Sequence, residues 1–281
     1  MKKPVIGSEW KRIVYYPSNH LNDFCIIRDK DGLWHCIGIM GEGTWESEKQ
    51  FFHSYGKSLD CLFTNTAPIF TQNFLKDENK YQQKHAPFVV EKNGAYSLFY
   101  RRPMGTIMCL KTSDLFTYDN LGYEVFTRRD ARDVCIIKAN GEYIMYYCQS
   151  EFIDGNPFSC IMARRSKTLI DWDEPWIVYK DNETHAEHSY LESPFVVDTE
   201  AGYYLFIRHR LRDDDVKTIV LFSEDPLDFN DRAWIQELND VHAAEIVKDK
   251  DELYIARVSF SDGIIADDWE GWIEIAKLDF I

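Results

Sequence analysis

An all-β chain wound into a five-bladed propeller is the fold this sequence predicts, on three observations. One template recurs five times: a polar anchor, a short apolar run, a turn carrying Gly or acidic residues, then an aromatic-rich run. The anchors are spaced 48 to 62 residues apart, close to the period of a propeller blade built from three or four strands. Helical periodicity is never sustained, and no linker rich in Pro, Gly or Ser divides the 281 residues. A single domain spanning 1–281 is therefore expected.

Taken in order, the blades start near residues 23, 85, 133, 192 and 242. The first unit reads Asp23-FCIIRDKDGLWHCIGI and the second His85-APFVVEKNGAYSLFY. The third is Asp133-VCIIKANGEYIMYY, the fourth Glu192-SPFVVDTEAGYYLFI and the fifth His242-AAEIVKDKDELYIAR. Asn93-Gly94 and Asn140-Gly141 mark two-residue hairpins, because a type I′ turn needs positive φ at both central positions. The flanking runs are rich in Val, Ile, Phe and Tyr, as strands are. Third strands are expected near 107–111, 160–164, 219–222 and 273–278, each followed by a polar turn or loop. The less regular stretch 45–83 should finish blade one and cross to blade two. A lone hairpin is marginal in water, so each unit needs the others to bury its faces.

Composition sets the limits of function. At 45% hydrophobic and 15% aromatic residues the chain can bury a large core, and its net charge of −15 excludes nucleic acid and anionic membrane surfaces as partners. The seven cysteines are odd in number, scattered and without a CxxC pair, which reads as buried free thiols in a reducing compartment. The start MKKPVIGSEW has no apolar stretch after its two lysines, so a cytoplasmic protein is expected, or a secreted one if a leader has been removed. No run approaches the ~18 apolar residues of a membrane span.

In a propeller the innermost strands line the central channel, so the anchors should converge there: Asp23, His85, Asp133, Glu192 and His242. Crowded carboxylates repel, and at least one should have a raised pKa. Hydrolysis of a glycosidic bond needs one protonated carboxyl and one ionised. Each anchor has a plainer reading. Asp23 could cap a turn, Asp133 could pair with Arg132 or Arg129, and the two histidines could be hydrogen-bonded wall residues. Glu192 is the hardest to explain structurally, since a lone acid ahead of a buried strand is costly unless used or paired. His185 and His188 lack the further ligand spacing of a zinc site. Arg101, Arg102, Arg208, His209 and Arg210 lie on strands where alternation sends about half to the channel. Trp34, Trp45 and Tyr16 are either core or platforms for sugar rings.

The order Asp, Asp, Glu at the starts of units one, three and four resembles the five-bladed propeller glycoside hydrolases of families 43 and 32. Asn22-Asp23 followed by Gly32-Leu33-Trp34-His35 is similar to the opening motif of family 32. Ala131-Arg132-Asp133 resembles the Arg-Asp-Pro motif, with Val134 in place of Pro, and Phe24 likewise departs from Asp-Pro. Glu192-Ser193-Pro194 is similar to the acid motif of either family, and His85-Ala86-Pro87 and His242-Ala243 to family 43. The resemblance implies Asp23 as base or nucleophile, Asp133 as the carboxylate that orients the acid or stabilises the transition state, and Glu192 as proton donor. Substrate contacts are expected from Trp34, Trp45, His85, Arg102, Arg132, Arg208 and His242. No cofactor is required, although His242 would help to hold a structural calcium ion in the channel. The implied activity is exo-acting hydrolysis of a furanoside or pentoside, such as an arabinofuranoside, xyloside or fructofuranoside. Two rivals stay open: a glycoside phosphorylase, using arginines for phosphate, and a non-catalytic carbohydrate-binding propeller.

Overall fold

The computed structural model describes residues 1–43, 45–70, 83–118, 122–182, 187–210, 217–230, 234–260 and 270–281, and the side chain of Trp45 also lies outside this set. Two short strands, β1 (Pro4–Ile6) and β2 (Lys11–Tyr15), precede the first blade. Blade one is β3 (His20–Arg28), β4 (Trp34–Gly41), β5 (Gln50–Gly56) and β6 (Thr64–Asn65). Blade two is β7 (His85–Lys92), β8 (Ala95–Arg102), β9 (Thr106–Thr112) and β10 (Tyr123–Thr127). Blade three is β11 (Arg132–Ala139), β12 (Glu142–Ile153), β13 (Asn156–Ser166) and β14 (Trp176–Lys180). Blade four is β15 (Leu191–Thr199), β16 (Gly202–His209), β17 (Lys217–Ser223) and β18 (Gln236–Asn239). Blade five is β19 (His242–Asp249), β20 (Glu252–Phe260) and β21 (Gly271–Phe280), and its outer edge is supplied by the N-terminus. Both β1 and β2 pair with β21. That closure joins the two ends of the chain and covers what would otherwise be an open sheet edge.

Each blade is a meander of antiparallel neighbours, as short connections require. The turns expected from Asn-Gly are present. Asn93 and Gly94 have φ of 55° and 79°, Asn140 and Gly141 of 51° and 82°. The apolar residues of successive blades pack face to face in four clusters. One joins blades one to three around Phe51, Phe99 and Tyr147. The others join blades three and four around Tyr146 and Leu205, four and five around Phe206 and Ile255, and five and one around Phe52 and Ile273. The core is thus a ring between sheets, and the axis is left to the inner strands. All seven cysteines are free and six are buried. Among the described residues no helix is long and apolar enough to cross a membrane.

One detail of register positions the site. In all five blades the ladder between first and second strand is irregular near the channel end: between Asn22 and Phe24, His85 and Phe88, Arg132 and Cys135, Glu192 and Phe195, and His242 and Glu245. Such a bulge re-aims side chains locally. In four blades the residue after the first anchor takes a left-handed conformation, with φ of 46° at Ala86, 57° at Asp133, 47° at Ser193 and 51° at Ala243. Non-glycine residues in this region are strained and gather at functional sites. The register also corrects the expectation that the five anchors are equivalent. Asn22, His85, Arg132, Glu192 and His242 share one level, where each inner strand pairs with its neighbour before the bulge. Asp23 and Asp133 stand one residue further along, level with Ala86, Ser193 and Ala243.

Candidate active site

The bulges bring Asp23, Asp133 and Ser193 to a small cavity of about 20 Å³, whose walls also include Glu245, Ala86 and Ala243. Ser193 ties the carboxylates together. Its Oγ donates to Asp23 Oδ1 at 3.0 Å and its backbone N–H to Asp133 Oδ2 at 3.0 Å. That second bond depends on the turned-in conformation of Ser193. Glu192, one residue earlier, sits among guanidinium groups. Arg208 Nη1 donates to Oε2, while Arg210 Nη1 at 3.2 Å and Arg132 Nη2 at 3.7 Å face Oε1. Arg132 is itself anchored by Asp130 at 3.0 Å and by the carbonyls of Ser189 and Leu191 at 2.6 and 3.1 Å, with its Nε 3.6 Å from Asp133. Both plain readings of Asp133 are thereby answered: it pairs with Arg132, whereas Arg129 pairs with Glu187.

The acids therefore differ in charge state. Loss of hydration pushes Asp23 well above the ordinary carboxylate range, and the like charges of Asp133 and Glu192 push it further. Asp133 is raised by burial, with Arg132 opposing. Burial acts on Glu192 in the same direction, but Arg132, Arg208 and Arg210 overcome it and hold its pKa at about 2. Opposite charges within a few ångströms favour the ionised form.

A second chain of polar groups walls the channel between blades one and two. Glu48, buried, stands 3.1 Å from His20 Nε2 and 3.0 Å from His85 Nε2. Arg101 Nη1 lies 2.8 Å from His85 Nδ1. The arginine can only donate, so Nδ1 accepts and the ring proton sits on Nε2, toward Glu48. His242 Nε2 donates to Asn22 Oδ1 at 2.8 Å. Burial lowers the His242 pKa to about 3, so the ring is neutral.

Alternation sorts the basic residues. Arg208 and Arg210 reach Glu192, while His209 between them bonds Asp181 at 2.9 Å. On β8 it is Arg101 that meets His85, whereas Arg102 turns its Nη1 toward Met108 Sδ at 3.9 Å. Trp34 is not brought to the channel. It is buried at the far end of β4, paired with Arg28, with the Arg28 guanidinium 5.5 Å from its ring centre. Tyr16 is a core residue whose hydroxyl donates to the His53 carbonyl. The side chain of Trp45 and all of His185 lie outside the described residues; His188 faces Asp130 at 2.5 Å.

Glu48 and Glu245 were not singled out from the sequence, and Ser193 entered only as the neighbour of Glu192. Glu48 carries no local signal, since it lies outside the repeat and matters through His20 of blade one and His85 of blade two. Glu245 did carry one: it interrupts the apolar run of the fifth unit where the other four units are apolar or Cys.

The residues do not fit a calcium ion held by His242. Calcium takes six to eight oxygen donors, His242 offers only its Nδ1, which has no hydrogen-bond partner, and Asn22 Oδ1 is already engaged. Among the described residues no group of three or more His, Cys, Asp or Glu is placed to hold a metal.

Comparison with known proteins identifies the fold. No family model matches this sequence, and no curated protein matches it by sequence. Solved structures do match by shape. A thermostable family 43 glycoside hydrolase superposes with a TM-score of 0.72 at 14% identity, covering 95% of this chain and 93% of its own. A family 43 β-xylosidase/α-arabinofuranosidase from a compost microbial metagenome, solved with xylotriose in a calcium-free form, gives 0.70 at 13%, covering 98% and 95%. A family 117 glycoside hydrolase from Zobellia galactanivorans gives 0.70 at 8%, covering 99% and 90%. The fold is that of the five-bladed propeller glycoside hydrolases.

Proposed function

We propose that this chain is a glycosidase that hydrolyses an O-glycosyl bond at the mouth of the propeller axis. One observation carries the reading. Carboxylates from three blades form one connected cluster: Asp23 and Asp133 line one cavity and are bonded to Ser193, and Glu192 is joined to Asp133 through Arg132. Asp23 takes the part of base or nucleophile. Its raised pKa brings it toward the operating pH, where a general base is most effective. Asp133 and Arg132 set the charge around the pair. Glu192 is the proton donor, and it can hold a proton only after guanidinium groups leave it for the substrate. Arg210, with a side chain 37% exposed, is the most accessible of the three.

In the hydrolytic step the leaving oxygen takes a proton from Glu192. Water adds to the anomeric carbon and gives up its own proton to a carboxylate, so that the site returns to its starting charge. Arg101, through its unpartnered Nε–H, and His242, through Nδ1, offer hydrogen bonds to sugar hydroxyls, and His85 positions Arg101. The substrate we propose is a furanoside or pentoside taken from a chain end. It is supported by the folds this chain shares with an exo-1,5-α-L-arabinanase and a β-xylosidase.

The arginines at Glu192 support a second reading, phosphorolysis, in which inorganic phosphate replaces water and is held by Arg208 and Arg210. One experiment separates the two. A panel of aryl arabinofuranosides, xylosides and fructofuranosides is assayed with and without phosphate, and the product anomer is read by NMR. Turnover independent of phosphate is the hydrolase result. Turnover that requires phosphate gives the phosphorylase. Sugar binding without turnover of any glycoside would overturn both.

A further inference from the structure

We propose that Glu245 carries a proton at neutral pH and donates it, through one water in the cavity they share, in a hydrogen bond to Asp23, so that Asp23 is kept ionised. This rests on the reading of Asp23 as the base or nucleophile. Glu245 is a positioning residue, since it acts on the substrate only through Asp23.

Three residues beyond the level shared by Asn22, His85, Arg132, Glu192 and His242, the pairs are Cys25–Ile37 in blade one, Phe88–Phe99 in two, Cys135–Tyr146 in three, Phe195–Phe206 in four and Glu245–Ala256 in five. At this level of the propeller Glu245 is the one carboxyl, in a position that the other blades fill with a phenyl or a thiol. It lines the same cavity as Asp23 and Asp133, and at about 20 Å³ that cavity has room for about one water. Among the described residues no direct hydrogen bond joins Asp23 and Glu245, so the link that this space allows is a single bridging water.

The surroundings decide where the proton rests. Asp133 has Arg132 and Glu192 has three arginines, whereas among the described residues no Lys, Arg or His is paired with Glu245. Its hydrogen-bond partner is the Ile26 backbone N–H, and Asp23 acts on it by charge alone. The other titratable groups turned toward it are the thiols of Cys25, Cys36 and Cys135, and burial keeps all three neutral. Loss of hydration, followed by the charge of Asp23, raises the Glu245 pKa well above the carboxylate range. Asp23 likewise has no paired cation among the described residues, but it accepts the Ser193 hydroxyl at 3.0 Å, which favours its ionised form; the carboxyl beside it then keeps the proton, and a neutral carboxyl can donate. The proton stays on Glu245 throughout the reaction, so the residue shapes the base without entering the balance of the step.

The test compares Glu245→Gln with Glu245→Leu in the full chain, using whichever aryl glycoside is turned over. Gln preserves a donor and should leave the acid limb of the kcat/KM profile within about 0.3 pH units of the parent. Leu removes it and should move that limb up by about one to two pH units, the worth of one hydrogen bond to a charged group. If both variants move the limb down, Glu245 is ionised and repels Asp23, and the proposal is wrong. No shift in either means that the two groups are uncoupled, which overturns it equally. The infrared difference spectrum of parent minus Glu245→Gln, recorded without substrate at neutral pH, should contain a protonated-carboxyl C=O band. A carboxylate band alone in its place defeats the proposal. This arm needs no turnover, so it decides the proton even if no glycoside is cleaved and the glycosidase reading falls.

Discussion

Glu192 and Glu245 are the same residue type on the inner strands of adjacent blades, and both are half-buried at the channel, yet the net effect of burial and neighbours pushes their pKa values in opposite directions. Glu192 is wrapped by Arg132, Arg208 and Arg210 and held at a pKa of about 2. Glu245 faces Asp23 without a cation and is pushed well above the ordinary range. Loss of hydration acts on both in the same direction. The difference comes from which strands lie alongside: β16 and the residue after it deliver Arg208 and Arg210 to Glu192, whereas β20 presents Ala256 opposite Glu245. A propeller axis can thus hold acids of contrasting character within one channel by varying the second strand.

The harshest way to break this contrast is to remove its central cation. Arg132→Met leaves Asp130, Asp133 and Glu192 without their shared partner and is expected to cost about 3–5 kcal/mol, the usual penalty for breaking a buried pair. The midpoint of urea unfolding would report it, and a shift of less than about 1 kcal/mol would show that Arg132 is not the keystone of the cluster. Next in size, Asp23→Asn and Glu192→Gln should each lower kcat by at least ~10²-fold, the scale of general acid–base catalysis. Retention of parental kcat by either variant in a steady-state assay would remove that residue from the mechanism.

Titration sharpens the same comparison. Glu192 drops from 4.5 unfolded to about 2 folded, so it contributes stability above pH 4.5 that is lost as pH falls toward 2. Glu245 has the reverse sign, because its raised folded pKa means that stability is lost as pH rises past the ordinary carboxylate range. Thermal unfolding of Glu192→Gln and Glu245→Gln across about pH 4 to 9 should therefore diverge. The first should lose stability relative to the parent above pH 4.5, and the second should gain with rising pH; parallel curves would contradict the assignment. His53 and His242 add to acid sensitivity, since both fall from 6.5 to about 3. Neutral and buried, they favour the fold above pH 6.5, and that contribution declines as pH falls to about 3. His53→Gln should flatten the parent's stability loss in that window, as followed by circular dichroism.

The smallest expected effect lies far from the channel. Gly141 has φ of 82°, and a methyl group added to its Cα would meet nothing within 4 Å, so Gly141→Ala tests backbone conformation without a clash. A loss of about 1 kcal/mol with unchanged kcat is expected. A change in kcat would mean that the hairpin end of blade three communicates with Glu192.

Much of the architecture was legible in the chain because it is local. The Asn-Gly turns, the Val-, Ile- and Tyr-rich runs and the fivefold recurrence each reflect neighbours within a few residues, and backbone preferences act at that range. The acids Asp23, Asp133 and Glu192 were legible for a related reason: a polar residue ahead of an apolar run breaks a pattern. Arg102 and Trp34 show where such reasoning ends. Alternation predicts that one of two adjacent arginines faces inward without saying which. Trp34 lies on the same blade as Asp23 but at its opposite end, with the strand running away from the axis mouth between them.

By itself the sequence determined the number of blades, the turns and the acids that head the inner strands, since these depend on local propensity and on a repeat that any blade must obey. Only the tertiary structure decided the one-residue offset between Asp23 or Asp133 and Glu192, because a bulge absorbs a residue without leaving a mark in composition. It also decided which acid carries the charge. That outcome depends on guanidinium groups 16 to 60 residues away in the chain: Arg208 and Arg210 arrive with the strand paired to that of Glu192, and Arg132 comes within about 4 Å only when blade three packs against blade four.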